Sequence, residues 1–197
     1  MVATAIQEKK HTPPLVVPTP KYISWKDFQK RYLTREDGYK YEWLNGIIEK
    51  TPRTMNTNQF YIWDNLCNFL RLLETQKGQR IGSFPMEGDI FFLQNHRKPD
   101  IAFLTVQQML EAKMNIEPHP EFIVEILSPS DNINRVNKKV ENYFAAGVKV
   151  LWHIFPEQKI IHVYSDSRTI SICRNTDMCS AETVIDGFII SVNDVLA

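Results

Sequence analysis

The sequence has no long hydrophobic run, no excess of charge of either sign and only three cysteines among its 197 residues. A membrane-spanning helix needs about 20 consecutive apolar residues, so the lack of such a run predicts a protein that is not embedded in a membrane. The 23 basic residues balance the 23 acidic ones. This balance argues against a strongly basic nucleic-acid coat protein and leaves only a local basic patch for binding nucleic acid.

The cysteines predict a reducing environment. Cys67, Cys173 and Cys179 form no C-x-x-C pair, and an odd number cannot all pair within the chain. Free thiols are therefore expected. The first ten residues lack the basic-then-apolar order of a secretory signal, so we expect a cytoplasmic protein.

One folded domain is expected after a short arm. Residues 1–20 contain four prolines, few large apolar groups and no periodicity, which is typical of a flexible N-terminal arm. Residues 21–197 contain neither an internal repeat nor a linker to a second domain. A chain of this length buries a sizeable core as a single domain.

Periodicity and turn residues predict a mixture of helices and strands. Ser24 is a candidate cap for a short amphipathic helix, and Asn45-Gly46 indicates a hairpin over 41–50. The remaining expected elements are helices over 57–76, 105–115 and 133–146 and strands over 89–93, 99–104, 121–127, 148–155 and 160–165, with further short strands over 168–192. The pattern predicts an α/β (α+β) fold in which helices flank a mixed central β-sheet.

Two carboxylates stand out because they lie in apolar strands. Asp100 opens the strand KPDIAFL, and Glu125 lies in the middle of IVEIL. A carboxylate in such a place is costly unless it is paired, hydrogen-bonded or bound to a metal. An ion pair with a nearby lysine or arginine explains either residue alone. If the two strands are neighbours, the pair can instead share a hard divalent cation such as Mg²⁺ or Mn²⁺.

Helix geometry favours one lysine as a partner for these acids. On the helix over 133–146, at 100° per residue, Lys139 lies roughly 80° from the centre of the apolar stripe and Lys138 about 180°. Lys138 is therefore expected in solvent. Lys139 can lay its stem along the core and bring its ammonium to the carboxylates, or extend to the surface as an ordinary snorkelling lysine. Tyr143, four residues later, shares its face.

The remaining candidates are weaker. Glu42 is flanked by aromatic residues before the Asn-Gly turn, and the local pattern alone favours an exposed position on the hairpin. Arg97 and Lys98 precede Asp100 and can touch phosphate, although a solvated loop over 96–98 is the simpler interpretation. Together with Arg135, and with Lys138 and Lys149, this loop would form a modest basic rim suited to a nucleic-acid backbone.

Several of these segments, in this order, resemble a known family. The segments are YEWLNGIIEK, RKPDIAF, FIVEILSPSD, KVENYFAAGVKVLWHI and DGFIISVNDVL. They are similar to the Uma-type family of restriction-endonuclease-like proteins, within the PD-(D/E)xK nuclease superfamily, over roughly residues 22–197. The resemblance implies a restriction endonuclease-like core with extra β-hairpins, a metal-dependent endonuclease activity on DNA and a homodimer.

The resemblance also implies roles for single residues. Asp100 and Glu125 would bind Mg²⁺ or Mn²⁺, and Glu42 would be an additional acid from an early element. The lysine that usually follows the second acid by two positions is replaced by Leu127. Its counterpart would be Lys139 on the following helix, paired with Tyr143.

The sequence departs from the family pattern at two positions and leaves alternatives open. Arg135 replaces a frequent acid, and Asn58 replaces a frequent histidine, which puts substrate handling in question more than metal binding.

Three hypotheses about function follow. The first is a Mg²⁺-dependent deoxyribonuclease. The second is a catalytically silent nuclease fold that binds nucleic acid or acts as a scaffold, as Leu127 suggests. The third is a metal-dependent hydrolase of a small phosphate ester.

Overall fold

The computed structural model describes residues 22–53, 57–92, 95–129 and 131–197. The helices are α1 (Trp25–Phe28), α2 (Thr57–Lys77), α3 (Val106–Lys113), α4 (Ile133–Ala145) and α5 (Val192–Val195). The strands are β1 (Tyr39–Leu44), β2 (Ile47–Pro52), β3 (Gly82–Ser83), β4 (Ile90–Phe92), β5 (Asn95–Arg97), β6 (Ile101–Thr105), β7 (Phe122–Ile126), β8 (Val150–Phe155), β9 (Ile160–Tyr164), β10 (Ile170–Arg174), β11 (Met178–Ser180) and β12 (Ile189–Ser191). One turn of π-helix, Gln29–Leu33, continues α1.

Local sequence signals explain where the helices begin and where the first hairpin turns. The side chains of Ser24, Thr105 and Asn132 accept hydrogen bonds from first-turn N–H groups of α1, α3 and α4. Such caps satisfy donors that have no partner within the helix. Asn45 and Gly46 have φ values of 46° and 87°, as the tight turn between β1 and β2 requires.

The central sheet has six strands in the order β10-β9-β8-β7-β6-β3. β7 and β8 are parallel, and α4 supplies the crossover that parallel neighbours require. The other neighbouring strands of this sheet are antiparallel. Because successive side chains of a strand point to opposite faces, β7 presents Phe122 and Val124 on one face and Ile123 and Glu125 on the other.

Both faces of the central sheet are covered. On one face, Leu66 of α2 belongs to the same large core as Trp152 of β8. On the other, Val140 and Tyr143 of α4 pack in a cluster with Leu151. Burial on both faces explains why β7 lacks the alternation of apolar and polar residues that a half-exposed strand has.

A second sheet, in the order β2-β1-β5-β4, carries the early hairpin. Tyr41 and Trp43 of β1 pack with Phe28 in a small core of their own. The alternate residues Lys40 and Glu42 face the opposite side, where they meet charged groups of the central sheet and of α4. β11 and β12 form a separate two-stranded sheet.

The predicted class, helices flanking a mixed sheet with extra hairpins, is confirmed. The solvated loop predicted over 96–98 is wrong in part: His96 and Arg97 are buried in β5, because pairing with β1 and β4 carries them inward.

The predicted arm, residues 1–20, lies outside the described residues. All three cysteines are free thiols. Within the described ranges, no helix is both long and apolar enough to cross a membrane.

Candidate active site

Asp100 and Glu125 lie side by side in neighbouring strands. Asp100 directly precedes β6, whose Ile101 pairs with Val124 of β7, so the antiparallel register places Asp100 opposite Glu125. Asp100 Oδ2 also accepts a hydrogen bond of 2.8 Å from the N–H of Ile126. Both carboxylates are buried, yet both line an open pocket of about 560 Å³. The strands that carry Asp100 and Glu125 are therefore neighbours, which was the condition for the two carboxylates to share a cation.

Lys139 reaches this pair from α4. Its Nζ lies 3.1 Å from Glu125 Oε1 and 3.4 Å from Glu42 Oε2, and its side chain is 12% exposed. Lys138 is exposed on the outer side of the helix. The positions of both side chains agree with the angles derived from the helical repeat. Lys139 lines the pocket.

Glu42 is buried, so the exposed hairpin position favoured by its local pattern is wrong. Its carboxylate accepts hydrogen bonds from Arg97 Nη1, at 3.3 Å, and from the Lys98 N–H, at 2.9 Å. Arg97 Nη1 also pairs with Glu49 at 2.8 Å. The pairing of β1 with β5 buries these opposite charges together, which pattern within one strand does not reveal.

The predicted contacts to substrate are divided between the interior and the pocket. Arg97 is completely buried and Tyr143 donates a hydrogen bond of 2.6 Å to Glu125 Oε1, so both hold charged residues of the site in place. Lys98 pairs with Asp89 at 3.5 Å, away from the pocket's lining. Arg135 lines the pocket and, within the described ranges, has no ion-pair partner.

Lys40 is a site residue that the sequence analysis missed. Its Nζ donates to Asp100 Oδ1 at 3.2 Å, and its side chain is only 12% exposed. A usable signal was present, because Lys40 and Glu42 are two residues apart in one strand and therefore share a face. Without knowledge of which sheet covers that face, the spacing identifies no partner.

Burial and the lysines determine the ionisation of the three acids. Burial raises the pKa of Asp100 above its ordinary value and outweighs the opposing charge of Lys40. For Glu125, burial acts in the same direction, but Lys139 and Lys40 reverse it and lower the pKa. Lys139 and Arg97 likewise overcome burial at Glu42 and lower its pKa to about 2. Asp100 is thus the acid least compensated by its surroundings.

The donor set of the pocket fits a hard divalent cation. In the described part of the chain, no group of three or more His, Cys, Asp or Glu side chains is arranged to hold a metal ion. Mg²⁺, however, is often held by only one or two carboxylates and keeps several waters. Asp100 and Glu125 supply two carboxylates in one open pocket. A cation there would also favour the ionised form of Asp100, whose pKa is raised by burial and, to a smaller extent, by the charge of Glu125.

Comparisons with known proteins identify the family and the fold of the chain. Residues 25–193 match the family Uma2, described as "Putative restriction endonuclease". A solved structure from Anabaena variabilis, described as "a putative nuclease belonging to DUF820", superposes with a TM-score of 0.72 at 19% sequence identity. The match covers 88% of this chain and 97% of that one, which shows a shared restriction endonuclease-like fold. No curated protein matched in sequence. Because the family match spans most of the chain, this protein belongs to the Uma2 family.

Proposed function

We propose that this protein is a metal-dependent endonuclease that hydrolyses phosphodiester bonds in DNA. The observation that carries the proposal is the open pocket in which Asp100, Glu125 and Lys139 converge from β6, β7 and α4. Two carboxylates can hold a metal ion that assists phosphoryl chemistry, and a nearby fixed positive charge can stabilise the charge that develops in the transition state. Family membership supports the choice of a nucleic-acid substrate.

In this proposal Asp100 and Glu125 hold Mg²⁺ or Mn²⁺, with the carbonyl of Ile126 as a further ligand. The ion, when bound, activates water and neutralises charge that grows on the phosphate. The Ile126 N–H fixes the Asp100 carboxylate, and Tyr143 fixes that of Glu125. Both acids are thereby held in place before substrate arrives, which is what lowers the cost of reaching the transition state.

Lys139 supplies the fixed positive charge. Its ammonium, held between Glu125 and Glu42, orients the attacking water or stabilises the pentavalent phosphorus of the transition state. Leu127, at the position where a lysine is usual, lines the same pocket but can do neither. Arg135 contacts a neighbouring phosphate. Two copies of the chain, as a homodimer, would double these few phosphate contacts.

A plasmid-nicking assay with Mg²⁺ or Mn²⁺ tests the proposal. We expect metal-dependent cleavage by the wild type and a loss of at least about 100-fold in Asp100→Asn, because one ligand charge is removed. Asp64→Asn, an exposed acid on α2, is the matched control and should cleave normally. Metal binding measured by calorimetry should weaken in Asp100→Asn alone. Cleavage that needs no metal, or that survives Asp100→Asn, would contradict the assignment.

A second candidate function is a nucleic-acid-binding or scaffolding protein without catalysis. The observation that favours it is Leu127, an apolar side chain in the pocket at the usual place of the catalytic lysine. Salt-sensitive DNA binding without cleavage under either metal would support this candidate. Hydrolysis of small phosphate esters, but not of DNA, would instead indicate a different substrate class.

A further inference from the structure

Lys40 occupies the same carboxylate that the proposed metal site needs. Its ammonium enters from β1 and contacts Asp100 Oδ1, while the other oxygen, Oδ2, is held by the Ile126 N–H. Lys40 also lines the pocket itself. A divalent cation bound by Asp100 would therefore compete with the Lys40 ammonium for Oδ1.

The two lysines of the pocket are held differently. Lys139 contacts two carboxylates, those of Glu125 and Glu42. Within the described residues, Lys40 forms an ion pair with Asp100 alone, at 3.2 Å. The contacts of both lysines are longer than the about 2.7–2.9 Å usual for charge-assisted N–H···O bonds, so the number of carboxylates contacted, not the distance, distinguishes them. Lys40 is the lysine that a competing cation would move more easily.

A displaced Lys40 has space nearby. The residue already lines the open pocket of about 560 Å³. A lysine side chain has a flexible four-carbon stem. The ammonium can thus leave Asp100 and turn towards solvent within that pocket.

We propose that Lys40 is a resident counter-ion of the metal site, which neutralises Asp100 in the metal-free protein. The divalent cation must displace Lys40 in order to bind, so the presence of Lys40 weakens the binding of the cation. This inference rests on the proposed function, because it takes Asp100 as a metal ligand. Lys40 acts through Asp100 and is a positioning residue. It offsets the charge of Asp100 while no metal is bound, since a buried carboxylate without a partner is costly, and the Ile126 N–H holds the carboxylate in place with or without it.

Mn²⁺ binding by calorimetry, without DNA, tests the inference in Lys40→Met and Lys40→Gln. Removal of the competing charge should tighten the Kd for Mn²⁺ by about tenfold. A purely structural lysine would have the opposite effect, because its loss would disorder Asp100 and weaken binding. Lys50→Met is the matched control. Lys50 is an exposed lysine of the same hairpin, with its Nζ over the ring of Tyr39, and its Met variant should bind like the wild type.

The outcomes separate the inference from the proposed function. Equal or weaker Mn²⁺ binding in a folded Lys40 variant would overturn the inference and leave the metal site standing. Absence of Mn²⁺ binding in the wild type and in every variant would overturn the metal site, and the inference with it.

A measurement on the wild type covers the case in which neither variant folds. Limited acetylation followed by mass spectrometry should modify Lys40 several-fold faster when Mn²⁺ is added, because displacement exposes the amine. Lys50 should react at the same rate with and without the metal. Unchanged or slower modification of Lys40 in the presence of bound Mn²⁺ would overturn the inference.

Discussion

Each of the three buried acids, Asp100, Glu125 and Glu42, has a basic partner within 3.4 Å. Asp100 meets Lys40, Glu125 meets Lys139, and Glu42 lies between Lys139 and Arg97. Such pairing is needed because an isolated charge in the interior costs several kcal/mol. The ion-pair and metal-site interpretations of the carboxylates are therefore compatible. The lysines lower the pKa of Glu42 and Glu125 and offset part of the effect of burial at Asp100, which favours the ionised form that a metal requires.

Lys139 should be needed for cleavage and Lys138 should not. In Lys139→Met the fixed cation beside Glu125 is lost, and we expect the cleavage rate to fall at least about 100-fold. Lys138→Met, one residue away on the exposed side of α4, should change it by less than about twofold. Plasmid-nicking rates measure both. An equal fall in the two variants would point to general electrostatic attraction of DNA and would contradict a specific role for Lys139.

The buried Glu42 should contribute to stability in a pH-dependent way. Its pKa, near 4.5 when unfolded, is lowered to about 2 in the fold, so its contribution is complete above pH 4.5 and is lost as the pH falls towards 2. Glu42→Gln removes this contribution. The gap in the free energy of unfolding between wild type and Glu42→Gln should shrink by about 2 kcal/mol between pH 6 and pH 3.

Urea denaturation at a series of pH values measures this gap. Glu182→Gln, which changes an exposed glutamate, should follow the wild-type pH dependence. If the gap between wild type and Glu42→Gln stays constant with pH, then Glu42 is not paired as the structure describes.

At the level of elements, the β7-α4-β8 unit positions the site. β7 buries one face against α2 and turns Glu125 to the other, where α4 lies across the sheet and supplies Lys139 and Tyr143. The early hairpin then adds Lys40 and Glu42 from a different sheet. Four elements, β6, β7, α4 and the early hairpin, must therefore dock correctly before the pocket is complete.

Close packing of β3 on β6 gives a prediction about one glycine. A Cβ added at Gly82 would lie 2.3 Å from the carbonyl oxygen of Leu104 and 2.6 Å from the ring of Phe103. Gly82→Ala must therefore push the edge strand away, at a cost of about 2 kcal/mol. Gly88→Ala, where an added Cβ meets nothing within 4 Å, is the control. Thermal denaturation should show a lowered Tm for the first variant only, and equal Tm values would contradict the close approach.

For the whole molecule, charge is balanced and most cations of the pocket are already paired. Formal net charge is zero, so no broad positive field attracts a polyanion. Lys40, Lys139 and Arg53, which line the pocket, all form ion pairs. Among the described lining residues, Arg135 is the cation with no such pair. DNA binding by a single chain should therefore be weak and should depend on few phosphate contacts.

The salt dependence of DNA binding tests this view. Each neutralised phosphate of duplex DNA contributes about −0.9 to the slope of log K against log salt. In Arg135→Ala the slope should become shallower by about that amount, whereas Arg174→Ala, an exposed arginine of β10 outside the pocket, should leave it unchanged. Fluorescence anisotropy without divalent metal measures both slopes. Identical slopes for wild type and Arg135→Ala would exclude Arg135 from the phosphate contacts.

Much of the fold and half of the site were predictable from the sequence. Helix periodicity predicted the face of Lys139, and carboxylates in apolar strands identified Asp100 and Glu125, because both signals lie within short segments of chain. The local pattern misplaced Glu42, which only the family resemblance associated with the site, and Lys40 was missed. Their surroundings depend on which strand and which sheet lie opposite β1, and no local pattern encodes that.

The sequence by itself determined the main helices and strands, their caps and the first turn, and the two acids whose burial needed an explanation. Only the tertiary structure decided which charges meet. The pairing of β1 with β5 buried Arg97 beside Glu42, and the docking of the hairpin against the central sheet brought Lys40 to Asp100. The physical reason is the distance along the chain over which each kind of interaction acts. Propensity and periodicity act over a few residues, whereas the partners of a buried charge come from segments as far apart as the 60 residues that separate Lys40 from Asp100.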